Sequence, residues 1–276
     1  NRLCVPPPPV FLEDVREEAL SCFTRHGIRW HGATPGVGPS THLLDSQVQC
    51  VNVLLSLARG LGLLELVQRA VPDAVGLVPV EDGRCVAFEW IGAEDYLGEN
   101  RGRERRRGER ATSLDGLVVA ETGHGRVLVG IEWKYTESYH RGLPASWFGW
   151  RSRRYGGLYE AAPFAERPPI AAFFHDPHDQ LLRQALLLDA MRRAGELGGT
   201  AAVLLHVVPA GNQHLRRTVP GGLVGLGEEL HAVWERLLPG PELRYVCVEA
   251  EGLWTGTVAL AKRYAPDRVD PVTGTR

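Results

Sequence analysis

The chain has 276 residues, of which 44% are hydrophobic and 23% are charged, a balance typical of a folded globular protein rather than a disordered or fibrous one. Its formal net charge of -2 gives no overall attraction to nucleic acid, and no apolar run approaches the length of a membrane span. The five cysteines form no CxxC pair, which argues against a zinc ribbon or a disulfide framework and predicts a reducing, cytoplasmic compartment.

The first part of the chain is expected to be a loose arm. A polyproline run lies near its start, and a stretch rich in glycine and proline closes it at residues 31–39. We predict an N-terminal arm over residues 1–39 and a single domain over residues 40–276, because no internal repeat divides the rest. The core of this domain is expected over about residues 40–208, with a C-terminal extension over residues 209–276.

Apolar periodicity then predicts alternating helices and strands. A first helix begins near Ser40 and Thr41, which are candidate caps, and ends near Gly60. A later helix begins at the cap candidate Asp176 and stops at Gly195. The remaining predicted elements are strands at 84–91, 112–121, 127–137, 200–208 and 243–249, and helices at 225–238 and 254–264. This order predicts an α/β fold with a mixed β-sheet flanked by helices.

A hairpin between two of these strands brings acidic residues together. Residues i and i+2 of a strand project from the same face, so Glu132 and Lys134 share one surface. A turn centred on Gly123 and His124 sets Asp115 opposite Glu132, with Cβ atoms about 4.5 to 5.5 Å apart. Two carboxylates at this separation need a compensating cation, and hard oxygen ligands suit Mg2+ or Mn2+. Lys134 would then lie beside the metal.

Lysine is scarce in this chain. Lys134 and Lys262 are the only two lysines among 31 basic residues. Arginine stays charged under practical conditions, whereas lysine is a compact point charge that can lose its proton. A lysine retained in so arginine-rich a chain is therefore a candidate for chemistry.

Arginine is concentrated in two segments. Residues 101–110 contain six arginines and two glutamates, and residues 141–154 contain four arginines and no acid, interleaved with Trp147 and Trp150. Such local positive charge can neutralise phosphates even in a chain without net positive charge. The residues predicted to bind nucleic acid are Arg103, Arg105, Arg106, Arg107, Arg151, Arg153 and Arg154.

The arrangement of Asp115 and the Glu132-Trp133-Lys134 triplet across a hairpin resembles the PD-(D/E)XK nuclease superfamily. The order of predicted elements over about residues 40–208 is similar to the αβββαβ core of that superfamily. The sequence around the two motifs looks like its restriction-endonuclease-like bacterial members. The resemblance does not extend to the N-terminal arm or the C-terminal third.

The resemblance implies metal-dependent hydrolysis of phosphodiester bonds. By this resemblance, Asp115 and Glu132 would hold Mg2+, and the main-chain carbonyl of Trp133 is a candidate third ligand. Lys134 would position the attacking water or stabilise the charge of the transition state. Leu114 stands where the superfamily motif has its proline, which is a departure from the pattern.

Further polar residues are candidates for a supporting role. Gln47 and Gln184 interrupt the apolar faces of two predicted helices, and a buried amide must find hydrogen-bond partners. In the nucleases that this chain resembles, a polar residue on either flanking helix faces the active centre. The alternative is that each glutamine amide caps a nearby loop. Asp45 and Glu89 are candidates for an additional acid. Otherwise Asp45 is a solvated residue of the first helical turn and Glu89 pairs with an arginine.

These observations predict a Mg2+-dependent nuclease, with Mn2+ able to substitute, that acts on DNA in preference to RNA and is a candidate homodimer. Three alternatives stay open. The protein could bind nucleic acid without cutting it, bind an acidic partner through its arginines, or hydrolyse a small phosphorylated metabolite.

Overall fold

The computed structural model describes residues 10–31, 39–40, 42, 44–100, 102–139 and 142–266. Within them the chain forms six strands: β1 Ala74–Val78, β2 Ala87–Trp90, β3 Leu114–Thr122, β4 Gly125–Trp133, β5 Gly199–Val208 and β6 Leu243–Glu249. The helices are α1 Glu13–Arg25, α2 Ser46–Ala58, α3 Gly62–Gln68, α4 Ala145–Ala161, α5 His178–Arg193, α6 Gln213–Arg216, α7 Leu230–Leu237, α8 Glu251–Trp254 and α9 Val258–Tyr264.

The six strands form one mixed sheet. Its order is β1-β3-β4-β5-β6. Strand β1 pairs with the C-terminal half of β3, and β2 pairs with the N-terminal half of the same strand. The pairings that involve β3 are antiparallel, whereas β4, β5 and β6 run parallel to one another. Helices α4 and α5 lie in the crossover from β4 to β5, and a parallel pairing requires such a long connection. The predicted fold class, an α/β fold with a mixed sheet flanked by helices, is confirmed.

Two hydrophobic cores cover the two faces of the sheet. Val118 and Val129 belong to the core formed with α1, α2, α3, α8 and α9. Their strand neighbours Val119 and Leu128 belong to the core formed with α4, α5 and α7. This alternation is the period of two expected for strands covered on both faces.

The N-terminal segment is not the loose arm that the sequence predicts. Residues Glu13–Arg25 form α1, which packs against α2. Apolar residues at helical spacing anchor it to the first core. These residues are Val15, Ala19, Cys22 and Phe23. The polyproline run lies outside the described residues, and the domain boundary at residue 40 stays a prediction.

Both predicted helix caps are corrected. Helix α2 begins at Ser46 and not near Ser40, because the carboxylate of Asp45 accepts a hydrogen bond from the N–H of Val48 at 3.0 Å. Asp45 is therefore an N-cap, and Thr41 lies outside the described residues. The N-cap of α5 is Pro177, one residue after the predicted Asp176. The predicted stop at Gly195 is confirmed, since this residue has φ of 67° directly after the helix.

Several elements escape the sequence-based prediction. Helices α3 and α4 and strand β1 have no predicted counterpart, and the helix expected over residues 254–264 is divided into α8 and α9. Among the described residues, no single helix is long and apolar enough to span a membrane. Helices α2 and α3 together have the length and apolar composition of a membrane span, but the pair is bent by 108°.

Candidate active site

The sheet register aligns three carboxylates. Gly116 pairs with Ile131 in the hairpin of β3 and β4, so Asp115 lies level with Glu132, as the symmetric turn predicts. The pairing of β2 with β3 sets Glu89 level with Asp115 on the other side. The acidic row, defined as Glu89, Asp115 and Glu132, thus crosses three adjacent strands. Like charges this close favour protonation of one member or binding of a cation.

Glu132 is fully buried and held by two polar side chains. Its Oε1 lies 2.5 Å from Nζ of Lys134, and its Oε2 accepts a hydrogen bond from Nε2 of Gln184. Nζ of Lys134 also donates to Oε1 of Gln180 at 2.9 Å. Burial alone would lower the pKa of Lys134, but the charge of Glu132 and of other nearby groups raises this pKa well above its ordinary value. Lys134 is therefore cationic at neutral pH.

Asp115 is partly accessible to solvent at the start of β3. Its Oδ2 accepts a hydrogen bond from the main-chain N–H of Trp133 at 2.7 Å. Loss of solvent around the carboxyl raises the pKa of Asp115 well above its ordinary range, and the charges of Glu132 and Glu89 raise it further. The charge of Lys134 opposes this shift only in part. A cation beside Asp115 would relieve this repulsion.

Glu89 is buried and adopts an unusual backbone conformation. Its φ is 48°, a region in which a residue with a side chain is uncommon and which is often found at functional sites. Its Oε1 accepts a hydrogen bond from Nε2 of Gln47, and its Oε2 accepts one from the Ser113 hydroxyl, both at 2.6 Å. Within the described residues its ion-pair partner is His31, at 3.5 Å, and not the arginine of the alternative interpretation.

Both predicted glutamines reach the acidic row. Gln47 contacts Glu89 and also accepts a hydrogen bond from the N–H of His31 at 2.8 Å, so it joins the row to a loop. Gln184 contacts Glu132 and donates to the main-chain carbonyl of Ser113 at 2.9 Å. Gln180 and Ser113 were not predicted from the sequence. Gln180 lies four residues before Gln184, so the two share one helix face, and this spacing could have identified Gln180 as a residue near the site.

Trp133 is the last residue of β4 and lies between Glu132 and Lys134 in the chain. Its indole is fully buried, and its Nε1 donates to Oε1 of Gln49 on α2 at 2.8 Å. Because its main-chain N–H binds Asp115, Trp133 links the position of that carboxylate to the packing of the first core. The predicted role of its carbonyl as a metal ligand stays a prediction.

Two of the predicted phosphate-binding arginines hold the loop that precedes β3. The Arg105 guanidinium donates to the carbonyl of Ala93 at 2.9 Å. The Arg107 guanidinium donates to the carbonyl of Phe88 at 2.8 Å and lies 2.6 Å from Oε1 of Glu81. These contacts engage both guanidinium groups within the protein, so both side chains have a structural role.

The other arginines of this loop face solvent. Arg103 and Arg110 are exposed, and exposed Arg106 pairs with exposed Glu104 at 2.7 Å. An exposed ion pair of this kind contributes little to stability and can be exchanged for a phosphate contact. Arg101 lies outside the described residues.

The remaining predicted arginines lie on α4. Arg151 is almost fully buried, with Nη1 located 2.7 Å from Oδ1 of Asp179 on α5. Arg153 is exposed and Arg154 is half-buried. Arg141, from the same arginine-rich segment, lies outside the described residues.

The donor set at the acidic row fits a divalent cation. Carboxylate oxygens are the ligands that Mg2+ and Mn2+ prefer. The buried Oε1 of Glu132 makes no hydrogen bond within the described structure and has only the ion contact to Lys134. A cation there would be held by Asp115 and Glu132 together with water, which is the usual arrangement for Mg2+.

Another cluster resembles a metal site in composition. Cys22, His26 and Glu81 are the one group in the described part of the chain whose three ligand atoms all lie within 4.8 Å of one another. Glu81 is already ion-paired with Arg107 at 2.6 Å and Arg84 at 3.7 Å. These guanidinium groups supply positive charge beside Glu81, so its charge is compensated without a metal ion.

One comparison with known proteins identifies the family of the chain. A family model described as restriction endonuclease associating with ARP matches residues 7–255. The chain belongs to this restriction-endonuclease family. Its six-stranded mixed sheet is consistent with a restriction-endonuclease-like core, and membership indicates a nuclease-like role. Comparison with curated proteins and with solved structures found no match.

In this restriction-endonuclease family member, Asp115→Asn is expected to raise the melting temperature at neutral pH. A carboxyl whose pKa is raised in the folded state binds its proton more tightly there than in the unfolded chain. Its ionisation therefore destabilises the fold as pH rises above the unfolded pKa of about 3.9. Asparagine removes this penalty, and each kcal/mol gained raises the melting temperature by about 2–4 °C.

The gain should be present at about pH 7 and should shrink as pH falls toward about 4, because the native carboxyl is then protonated. Calorimetry at several pH values measures it. Glu121→Gln, at an exposed position of the same strand, is the control and should show no comparable gain. A gain that stays constant across this pH range would contradict the assignment of a raised pKa to Asp115.

Proposed function

We propose that the protein is a Mg2+-dependent nuclease of the PD-(D/E)XK superfamily that hydrolyses phosphodiester bonds in DNA. The observation that carries the proposal is the alignment of Asp115 with Glu132 beside the cationic Lys134, whose Nζ lies 2.5 Å from Glu132. Asp115 and Glu132 would hold the metal, with the Trp133 carbonyl as a further ligand. A bound Mg2+ or Mn2+ would supply Lewis-acid activation of the phosphate and of a water molecule.

Lys134 would act through its positive charge. Because its pKa is raised well above its ordinary value, it is a poor general base at neutral pH. A fixed ammonium group can instead stabilise the negative charge that develops on the phosphate or hold the attacking water. Gln180 and Glu132 fix the position of Nζ, and Gln184 fixes the carboxylate of Glu132.

Glu89 and Gln47 would have supporting roles. The charge of Glu89 raises the pKa of Asp115, so it adds to the attraction of this site for a cation. Its contact with the Ser113 hydroxyl also holds the residues just before Asp115. Gln47 positions Glu89 from α2.

The arginines that are at least partly accessible to solvent support a nucleic acid substrate. The proposed phosphate contacts are Arg103, Arg106, Arg153 and Arg154, since Arg105, Arg107 and Arg151 make internal contacts. DNA is proposed as the substrate because the matching family is described as a restriction endonuclease.

The proposal is tested by incubating plasmid DNA, single-stranded DNA and RNA with the protein in Mg2+, in Mn2+ and in EDTA. We expect cleavage of DNA with either metal and none with EDTA, because the carboxylates need the cation to activate the phosphate. Cleavage that persists in EDTA would contradict the metal mechanism. If none of the nucleic acids is cut but DNA is bound, the non-cleaving alternative is correct.

A further inference from the structure

Helix α4 carries a stripe of aromatic and basic side chains, the α4 stripe, formed by Trp147, Trp150, Arg151 and Arg154. Their spacing of i, i+3, i+4 and i+7 places them on one helix face. Trp147 is 50% exposed and Trp150 is 36% exposed, although large aromatic side chains are usually well buried. No function assigned above to the acidic row requires two exposed indoles.

Guanidinium groups lie over the faces of these indoles. The central carbon of the Arg151 guanidinium lies 5.6 Å from the ring centre of Trp147 and 5.9 Å from that of Trp150. The corresponding carbon of Arg154 lies 5.7 Å from the ring centre of Trp150. Cation–π contacts of this kind hold the rings in place and set positive charge beside each aromatic surface.

The α4 stripe forms one wall of a cavity of about 610 Å³. The facing wall includes Arg110, Thr112 and Arg183. This volume is within the range of about 300–1,000 Å³ typical of small-molecule pockets, so a nucleobase with its sugar can enter. Thr112 directly precedes Ser113, whose hydroxyl binds Glu89, so one wall of the cavity is connected through the chain to the acidic row.

A buried polar network supports this cavity. Asp179 lies 2.7 Å from Nη1 of Arg151 and accepts a hydrogen bond from Nε of Arg183 at 3.0 Å. Arg183 in turn donates to the Thr112 hydroxyl at 2.7 Å. The Arg151 side chain is only 9% exposed, and its Nε has no hydrogen-bond partner within the described structure. The network therefore fixes the Arg151 guanidinium close to both indoles, beside the cavity.

We propose that the cavity and the α4 stripe bind a single-stranded segment of nucleic acid. Its bases would stack on Trp147 and Trp150, and its phosphates would lie near Arg154 and Arg110. Bases of a duplex are already stacked and cannot cover the indoles, whereas unpaired bases stack on aromatic side chains in grooves of positive charge. The proposal deepens the proposed function, because the segment would lead toward the acidic row.

The test measures binding without cleavage. In EDTA, fluorescence anisotropy gives the affinity of the full chain for a fluorescein-labelled oligothymidylate and for a DNA duplex of equal length. Trp147→Ala and Trp150→Ala should each weaken single-strand binding about tenfold and leave duplex binding within about twofold, because stacking on a base is lost. Trp147→Phe and Trp150→Phe retain a ring and should keep most of the single-strand affinity.

Leu61→Ala is the matched control, since Leu61 is an apolar residue that is 72% exposed in the turn between α2 and α3. Melting temperatures of all variants check that each is folded. Unchanged single-strand affinity in the double Trp147→Ala, Trp150→Ala variant would overturn the proposal, and so would an equal loss for the duplex. Loss of self-association with unchanged DNA affinity would show that the stripe is an interface between copies and would also overturn it.

The failure of this proposal is distinguishable from failure of the proposed nuclease function. Single-strand binding that depends on the two tryptophans, in a protein that cuts nothing with Mg2+, would support the α4 stripe and contradict the nuclease. Metal-dependent cleavage, together with a single-strand affinity that does not depend on Trp147 and Trp150, would support the nuclease and contradict the role of the α4 stripe.

Discussion

Glu132→Gln and Asp115→Asn are each expected to lower the rate of Mg2+-dependent DNA cleavage by at least about 10³-fold. Each change keeps the shape of the side chain but removes a negative charge that would hold the cation. The two variants should differ in stability. Asp115→Asn relieves repulsion within the acidic row, whereas Glu132→Gln leaves the buried Lys134 without its ion-pair partner. A shared loss of cleavage with opposite changes in melting temperature cannot be caused by unfolding.

Calorimetric titration with Mn2+ supplies a readout that does not depend on cleavage. Both variants should bind the ion more weakly than the wild-type protein, because a carboxamide is a poorer ligand for a hard cation than a carboxylate. Glu121→Gln on the exposed part of β3 should retain wild-type Mn2+ affinity and cleavage. Wild-type cleavage by either active-site variant, under conditions where EDTA stops the native protein, would remove that residue from the proposed metal site.

The centre of the site is predictable from the sequence because it depends on local geometry. Strand period and a short turn determine that Asp115 faces Glu132, and the structure has the register that these rules require. The buried strand β5 is equally clear, since an apolar run rich in valine and bounded by glycine and proline is typical of a buried strand. Gln47 and Gln184 were identifiable as polar interruptions of apolar helix faces.

Other features depend on tertiary contacts that one sequence does not show. Arg103 and Arg107 belong to the same arginine-rich run, yet Arg103 is exposed while Arg107 is ion-paired with Glu81, which lies far away in the chain. Helix α4 has a weakly amphipathic sequence in which exposed tryptophans lie beside basic residues, so its periodicity is hard to detect. The positive φ of Glu89 is a consequence of its surroundings and has no signal in the residue type.

Lys134→Ala is expected to lower the free energy of unfolding by about 3–5 kcal/mol, because it leaves the fully buried carboxylate of Glu132 without a cation. Combining it with Glu132→Gln removes that uncompensated charge. The double variant should therefore recover part of the stability, as measured by urea denaturation. A Lys134→Ala protein as stable as the wild type would contradict a stabilising ion pair between Lys134 and Glu132.

Lys134→Arg separates the role of charge from that of geometry. Arginine keeps the positive charge, so this variant should lose less stability than Lys134→Ala. Its planar guanidinium cannot reproduce the placement of Nζ between Glu132 and Gln180, and cleavage should fall by about 10²-fold. Lys262→Arg, at the exposed position of the only other lysine, is the matched control and should cleave normally. Normal cleavage by both variants would mean that Lys134 serves only to neutralise Glu132, and the rate would then depend on the acidic row and its metal alone.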